Sequence, residues 1–214
     1  MRAYLNAIRE PVNLAEFKKK FLHTCLIFAA GIILGIFAKW LDDVSIQNTI
    51  WWQSILEELN LGNRFSEFPI WLMLATGIAA YSYTPLRGAV HVFLFCAGMT
   101  VSYHLCSIYF SGFNPFNYMM IWYGVTILSP FLAVLCWYAK GEGKLAFLLR
   151  TLIFAALMLN AFYCGMFYIS LGELFNVFCL VGVIAILWKG IRITSYNLAI
   201  AFLLRFLLSL IVYI

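Results

Sequence analysis

The chain has 214 residues, of which 64% are hydrophobic and 11% charged, and its mean hydropathy is +0.93. Soluble domains carry about 25% charged residues, so this chain has too little polar surface to face water on all sides, and no polar block of domain size stands apart. The net charge of +5 excludes less than it first implies: the basic residues flank apolar runs, which points to a lipid bilayer and not to nucleic acid as the partner.

Residues 1–20 are polar and basic, ending in Lys18, Lys19 and Lys20. They read as a cytoplasmic segment on the membrane surface, with Asn13 and Glu16 spaced as a capping box for a short helix. The apolar run that follows is too long, and lacks the small-residue site, for a cleaved signal peptide, so it is expected to stay as an anchor. From residue 21 to 214 we expect one transmembrane helical domain.

The first span is Phe21 to Trp40. It contains Gly31 and Gly35 at the spacing that lets two helices approach closely. Residues 41–68 are acidic, with Asp42, Asp43, Glu57, Glu58 and Glu67, and form an outer interfacial loop. Within it Trp52, Ile55, Leu56 and Leu59 follow helical spacing, which predicts an amphipathic helix over 49–61 with its apolar face on the membrane. Ser66 can cap the second span, which runs from Pro69 to Tyr83. The third covers Ala89 to Phe110, and Gly98, Ser102 and Cys106 make a ridge of small residues along it.

The fourth span lies between Gly112 and Lys144, with Tyr118, Trp122 and Tyr123 at one interface and Trp137 and Tyr138 at the other. Pro130 near its middle removes a backbone hydrogen bond and should kink it. The fifth span is expected over 145–169, with Arg150 close enough to its end to snorkel and Asn160 deeper. The sixth runs from Leu174 to Trp188. The seventh is the last apolar run, Leu198 to Ile214, interrupted by Arg205.

Loop charge orients the chain. With the N-terminus inside, Lys18 to Lys20, Arg87, Lys140, Lys144, Lys189 and Arg192 all fall inside, and six of the nine acids fall outside. The expected fold class is therefore all-α, a polytopic transmembrane helical bundle of about seven spans, N-in and C-out, plus the interfacial helix.

The apolar runs contain no Asp or Glu, which lowers the weight of ion-coupled pumps and proton relays. No metal-ligand spacing, HExxH motif or glycine-rich phosphate loop occurs, so no metal or cofactor is expected. All six cysteines lie in apolar runs, where the residue behaves as a small hydrophobe. His91 and His104 fall on nearly opposite faces of one helix. Cys136 with His104 would be a nucleophile and base, yet a thiol in apolar surroundings is a poor nucleophile. Arg205 is the costly residue: a charge at a helix centre costs about 2.5–3.5 kcal/mol. With no acid at its depth it must find carbonyls, Asn160, hydroxyls, lipid phosphate or another protein. Snorkelling to a headgroup is the competing explanation.

Several blocks carry a resemblance: Phe68-Pro-Ile-Trp71, Tyr81 to Arg87, Gly112-Phe-Asn-Pro115, Tyr118 to Gly124 and Cys136 to Gly141. They are similar to blocks of a family of uncharacterised bacterial multi-pass integral membrane proteins of about 200 residues, and the similarity extends over most of the chain to Gly143. The resemblance implies a bacterial cytoplasmic membrane and carries no activity with it.

The leading expectation for function is a non-enzymatic, transporter-like or transport-accessory subunit that binds a neutral or aromatic small molecule. The aromatic content of 18% is well suited to lining a cavity. Candidate binding residues are Arg205, Asn160, His104, Trp122 and Tyr123; candidate packing residues are Gly31, Gly35, Gly98 and Ser102. The alternative is an interaction or assembly protein that holds a partner membrane protein or a second copy of itself through the glycine face and Arg205. An intramembrane enzyme built on His104 or Cys136 is the third class.

Overall fold

The computed structural model describes residues 2–12, 17–43, 65, 67–164 and 168–212. The chain order is α1 (Arg2–Ile8), α2 (Phe17–Asp43), α3 (Phe68–Ala80), α4 (Pro85–Ser111), α5 (Phe116–Ala139), α6 (Gly143–Ala161), the strands β1 (Phe162–Cys164) and β2 (Ile169–Leu171), α7 (Leu174–Ile186) and α8 (Ile191–Val212). The expected capping box at Asn13 and Glu16, the Ser66 cap and the amphipathic helix over 49–61 lie outside the described residues.

Helices α2, α4, α5, α6 and α8 are long and apolar enough to cross a membrane. The other two apolar runs form shorter helices: α3 and α7 have 13 residues each, about 20 Å at 1.5 Å per residue against a hydrocarbon core of about 30 Å. The fifth run also departs from its expected extent. Helix α6 stops at Ala161, and β1 pairs antiparallel with β2, Phe162 opposite Leu171 and Cys164 opposite Ile169. Aromatic residues after Asn160 suit a strand better than a helix. Gly172 extends the pairing back to the helix end: its N–H donates to the Ala161 carbonyl at 2.8 Å, and a methyl group there would lie 2.6 Å from the Asn160 backbone carbonyl oxygen.

Two compact units account for these elements. One comprises Leu14–Phe68 and Ala89–Phe131, and α4 is its middle helix. On one face α4 runs parallel to α2. A methyl group at Gly31 would overlap the Phe95 carbonyl, one at Gly35 would overlap the Met99 carbonyl and Ser102 hydroxyl, and one at Gly98 would lie 2.9 Å from the Phe28 carbonyl. The four candidate packing residues therefore meet along one seam, where small side chains let the backbones touch. Polar ties follow the same seam: Thr24 with His91 at 3.1 Å, the Ser102 hydroxyl donating to Ile32 O at 3.1 Å, Tyr103 to Asp42 and Ser111 to Asp43.

The opposite face of α4 runs antiparallel to α5. Thr100 pairs with Thr126 at 3.2 Å, and His104 with Tyr123 at 2.8 Å. Helix α5 continues through Pro130. Proline offers no N–H to the Thr126 carbonyl one turn back, and the Ser129 hydroxyl donates to that carbonyl at 2.8 Å.

The other unit comprises Met1–Asn13, Pro69–Gly88 and Leu132–Ile214. Its buried centre is Phe154, Leu157 and Met158 of α6 with Leu180 and Val183 from α7, Leu187 directly after it and Ala201 from α8. The C-terminal ends of α3, α5 and α7 gather with the first turns of α6 and α8, and basic side chains fill the join. Arg9 donates to Trp137 O at 2.9 Å and Ala80 O at 2.8 Å, its guanidinium lying 4.3 Å over the Trp137 ring. Desolvation lowers the Arg9 pKa from its ordinary value, which for arginine lies so far above neutrality that the charge remains. Lys140 donates to Ile186 O at 2.9 Å and sits 3.6 Å over the Tyr81 ring.

Arg150 does not snorkel. It is 2% exposed and donates to Ala139 O at 3.2 and 3.0 Å, to Gly141 O at 3.1 Å and to the Asn197 side-chain oxygen at 3.3 Å. Asn197 in turn donates to Phe147 O and the Thr151 hydroxyl. The helix ends offered acceptors closer than water, and a guanidinium has enough donors to serve several at once. The N-terminal residues join this arrangement through Glu142 N–H to Ile8 O at 2.8 Å and Val12 N–H to Tyr83 O at 3.0 Å, so residues up to Val12 belong to the helical unit.

Two stability predictions follow from these contacts. Gly35→Leu should lower stability by about 1–3 kcal/mol or more by forcing α2 off α4, whereas Gly124→Ala, where a methyl group meets nothing within 4 Å, should be neutral or gain up to about 1 kcal/mol of helix propensity. Thermal unfolding in detergent would order the two variants, and equal behaviour would refute the seam. Arg150→Met keeps bulk but orphans the carbonyls of Ala139 and Gly141, at about 1–3 kcal/mol for each buried group left unsatisfied. Its unfolding temperature should fall well below that of the parent, and an unchanged value would show that water replaces the guanidinium.

Candidate functional site

Arg205 lines a cavity among the described residues. It lies on α8 beside the hairpin, in a space of about 320 Å³ lined also by Leu159, Tyr163, Cys164, Tyr168, Leu208 and Ser209. One NH2 of the guanidinium donates to Phe162 O at 3.1 Å. Its Nε is buried with no acceptor, and among the described residues no carboxylate pairs with it. Arginine presents five N–H donors in a rigid fork, so most of its capacity is unused by the described residues. Tyr163 and Tyr168 are exposed, while Cys164 and Ser209 are buried. The Ser209 hydroxyl donates to Phe206 O at 2.7 Å, which leaves its oxygen able to accept.

The cavity owes its form to the hairpin. Because α6 ends at Ala161 and β1 begins at Phe162, a carbonyl comes within reach of Arg205 and Tyr163 is placed beside it. The arrangement can hold an aromatic or apolar body against two phenol rings and a hydrogen-bond acceptor against the guanidinium. Asn160 does not take part: it is exposed, it is absent from the cavity wall, and its side chain makes no hydrogen bond among the described residues.

His104, Trp122 and Tyr123 belong to the unit built around α4. The structure brings His104 and Tyr123 together and adds Asn114, whose side-chain oxygen lies 2.9 Å from His104 Nε2. With that oxygen as acceptor Nε2 carries the proton, and Nδ1 accepts from the Tyr123 hydroxyl. Both ring nitrogens are thereby engaged, and His104 works as a tie between α4 and the segment leading into α5. Trp122 packs edge-on against Tyr118 with ring centres 6.3 Å apart. Cys136 belongs to the unit that holds Arg205, where it is buried 3.6 Å from the Thr76 hydroxyl. Among the described residues no three His, Cys, Asp or Glu side chains converge as a metal site.

Sequence reasoning missed Tyr163, Tyr168 and Ser209 around Arg205. Ser209 was within reach of it, since it stands one helical turn after Arg205 and the i, i+4 spacing puts both on one face. The two tyrosines carry no local signal, because the apolar run continues through them past the end of α6. Arg150 and Asn197 were missed as a buried pair for a related reason: hydropathy marks each as an interruption and says nothing of their meeting. No family model, no curated protein and no solved structure matches this chain.

Proposed function

We propose that this protein is a small, non-enzymatic, transporter-like or transport-accessory subunit of a bacterial cytoplasmic membrane, which binds a small molecule with an aromatic or apolar body in the Arg205 cavity. The observation that carries this reading is the guanidinium itself, set in an apolar helix, beside a cavity, with one hydrogen bond to protein among the described residues. A charge kept there at about 2.5–3.5 kcal/mol is explained by a ligand that supplies the missing acceptor, such as a carbonyl or carboxylate. Tyr163 and Tyr168 add the flat surfaces an aromatic body would use. The assembly alternative loses part of its support, because Gly31 and Gly35 are already packed against α4.

The proposed topology is seven passes, N-in and C-out, with α3 and α7 crossing as short helices where the bilayer thins or flanking residues extend them. It is supported by the end of the Arg205 unit at which α3, α5 and α7 finish and α6 and α8 begin. That end carries Arg9, Arg87, Lys140, Lys144, Arg150, Lys189 and Arg192, the charge expected of a cytoplasmic face. The bacterial assignment rests on the family resemblance.

Cysteine labelling on a background without native cysteines tests the topology. A Ser170→Cys variant should react with an impermeant reagent from outside; labelling only from the cytoplasmic side would overturn the proposed orientation. For the site, Arg205→Leu should leave thermal unfolding within about 1 kcal/mol of the parent, since it removes a desolvated charge and breaks no ion pair. The small molecule that co-purifies from native membranes should bind about 10- to 100-fold more weakly to the variant, the range for one charge-assisted hydrogen bond. Full retention of that molecule would leave Arg205 as a snorkelling residue.

A further inference from the structure

A second cavity lies at the basic end of the same unit. Its volume is about 640 Å³ and its wall includes Glu142, Lys144, Phe147, Arg150, Lys189 and Tyr196. The size falls within the range of about 300–1,000 Å³ usual for small-molecule sites.

The cations at this end divide by what they touch. Arg9, Lys140 and Arg150 are engaged with helix carbonyls. Lys144 has no hydrogen bond or ion pair among the described residues. Lys189 meets Glu142 at 3.5 Å, where the carboxylate side chain is 82% exposed, a contact weakened by water. The wall therefore presents three cations against one water-exposed carboxylate. Glu142 stands at the N-cap of α6, and its side chain makes no capping hydrogen bond. Phe147 and Ile193 make the wall partly apolar. From the cavity an exposed stripe runs along α8 through Ile193, Tyr196, Ile200, Leu203 and Leu207, residues that share one helical face.

We propose that this cavity binds a phosphate group, held by Lys144 and Lys189 with the Tyr196 hydroxyl as a further donor. Two ammonium groups beside a cavity suit a phosphate oxygen set. The apolar stripe on α8 favours an anionic phospholipid as its source, with the headgroup in the cavity and an acyl chain along the helix. A soluble phosphate compound offers the same chemistry to the lysines and would leave the stripe to bulk lipid.

The test uses the full chain in nanodiscs of phosphatidylcholine containing a minor share of phosphatidylglycerol, with retained lipid counted by native mass spectrometry. The parent should retain phosphatidylglycerol preferentially. Lys144→Gln and Lys189→Gln should each reduce that retention about fivefold, the effect of about 1 kcal/mol per basic residue, while Lys144→Arg preserves it. Lys18→Gln/Lys19→Gln removes charge outside the cavity and should change little. Thermal unfolding of each variant separates lost binding from lost fold. Displacement of the lipid by excess inorganic phosphate would assign the site to a soluble phosphate compound, and its persistence would assign it to the lipid headgroup. Equal retention of the two lipids with no protection by inorganic phosphate would overturn the proposal. So would a Lys18→Gln/Lys19→Gln variant that loses as much as the cavity variants, because general surface charge would then explain the binding.

Discussion

A helix that ends near a membrane leaves its last carbonyls without intrahelical donors, and the unit containing Arg205 answers this with arginine and lysine. Arg9 serves the ends of α3 and α5 together, Lys140 serves α7, and Arg150 serves the turn after α5 while holding Asn197 of α8. Each cation also meets the negative end of a helix dipole, so hydrogen bonding and the longer-range field act in the same direction. These contacts determine which helices finish together, and with that the path of the chain between them. They bring α1 into the unit, because Arg9 follows it directly and Glu142 N–H reaches Ile8 O. The same contacts separate the structural cations from Lys144 and Lys189, which remain on the wall of the basic cavity.

The unit around α4 solves a related problem with neutral groups. Between apolar helices in lipid there is little hydrophobic drive for association, so close packing and side-chain hydrogen bonds must supply it. Gly31, Gly35 and Gly98 let backbones touch on one face of α4, while Thr100–Thr126 and His104–Tyr123 align the other face with α5. Individual polar pairs of this kind contribute about 0.6 kcal/mol on average. Their larger effect is on register: a shift by one turn would leave several of these groups without partners.

Two arginines interrupt apolar helices in the first of these units, and their surroundings differ. Arg150 is enclosed and its donors are used on Ala139, Gly141 and Asn197. Arg205 contacts one carbonyl and borders a cavity with two tyrosines. Removing the first breaks a satisfied buried network, and removing the second relieves a desolvated charge. The contrast is the physical basis for expecting Arg150 to act in stability and for the proposal that Arg205 acts in binding.

Much of this was legible in the residues themselves. Hydropathy and length located the apolar runs, because a residue's preference for lipid is its own property and adds along a segment. The cost of Arg205, the spacing of Gly31 and Gly35 and the small residues of α4 are equally local. The partners were not. Nothing near Arg150 announces the carbonyls of Ala139 and Gly141 or the side chain of Asn197, and nothing near Gly35 names Ser102. The end of α6 at Ala161 meets the N–H of Gly172 from after β2, and Tyr163 lines the Arg205 cavity from a strand and not from a helix. The sequence by itself determined which segments prefer lipid and which residues are expensive there, since those are free energies of transfer. Only the tertiary structure decided which donor meets which acceptor, since that depends on where distant helix ends come to rest.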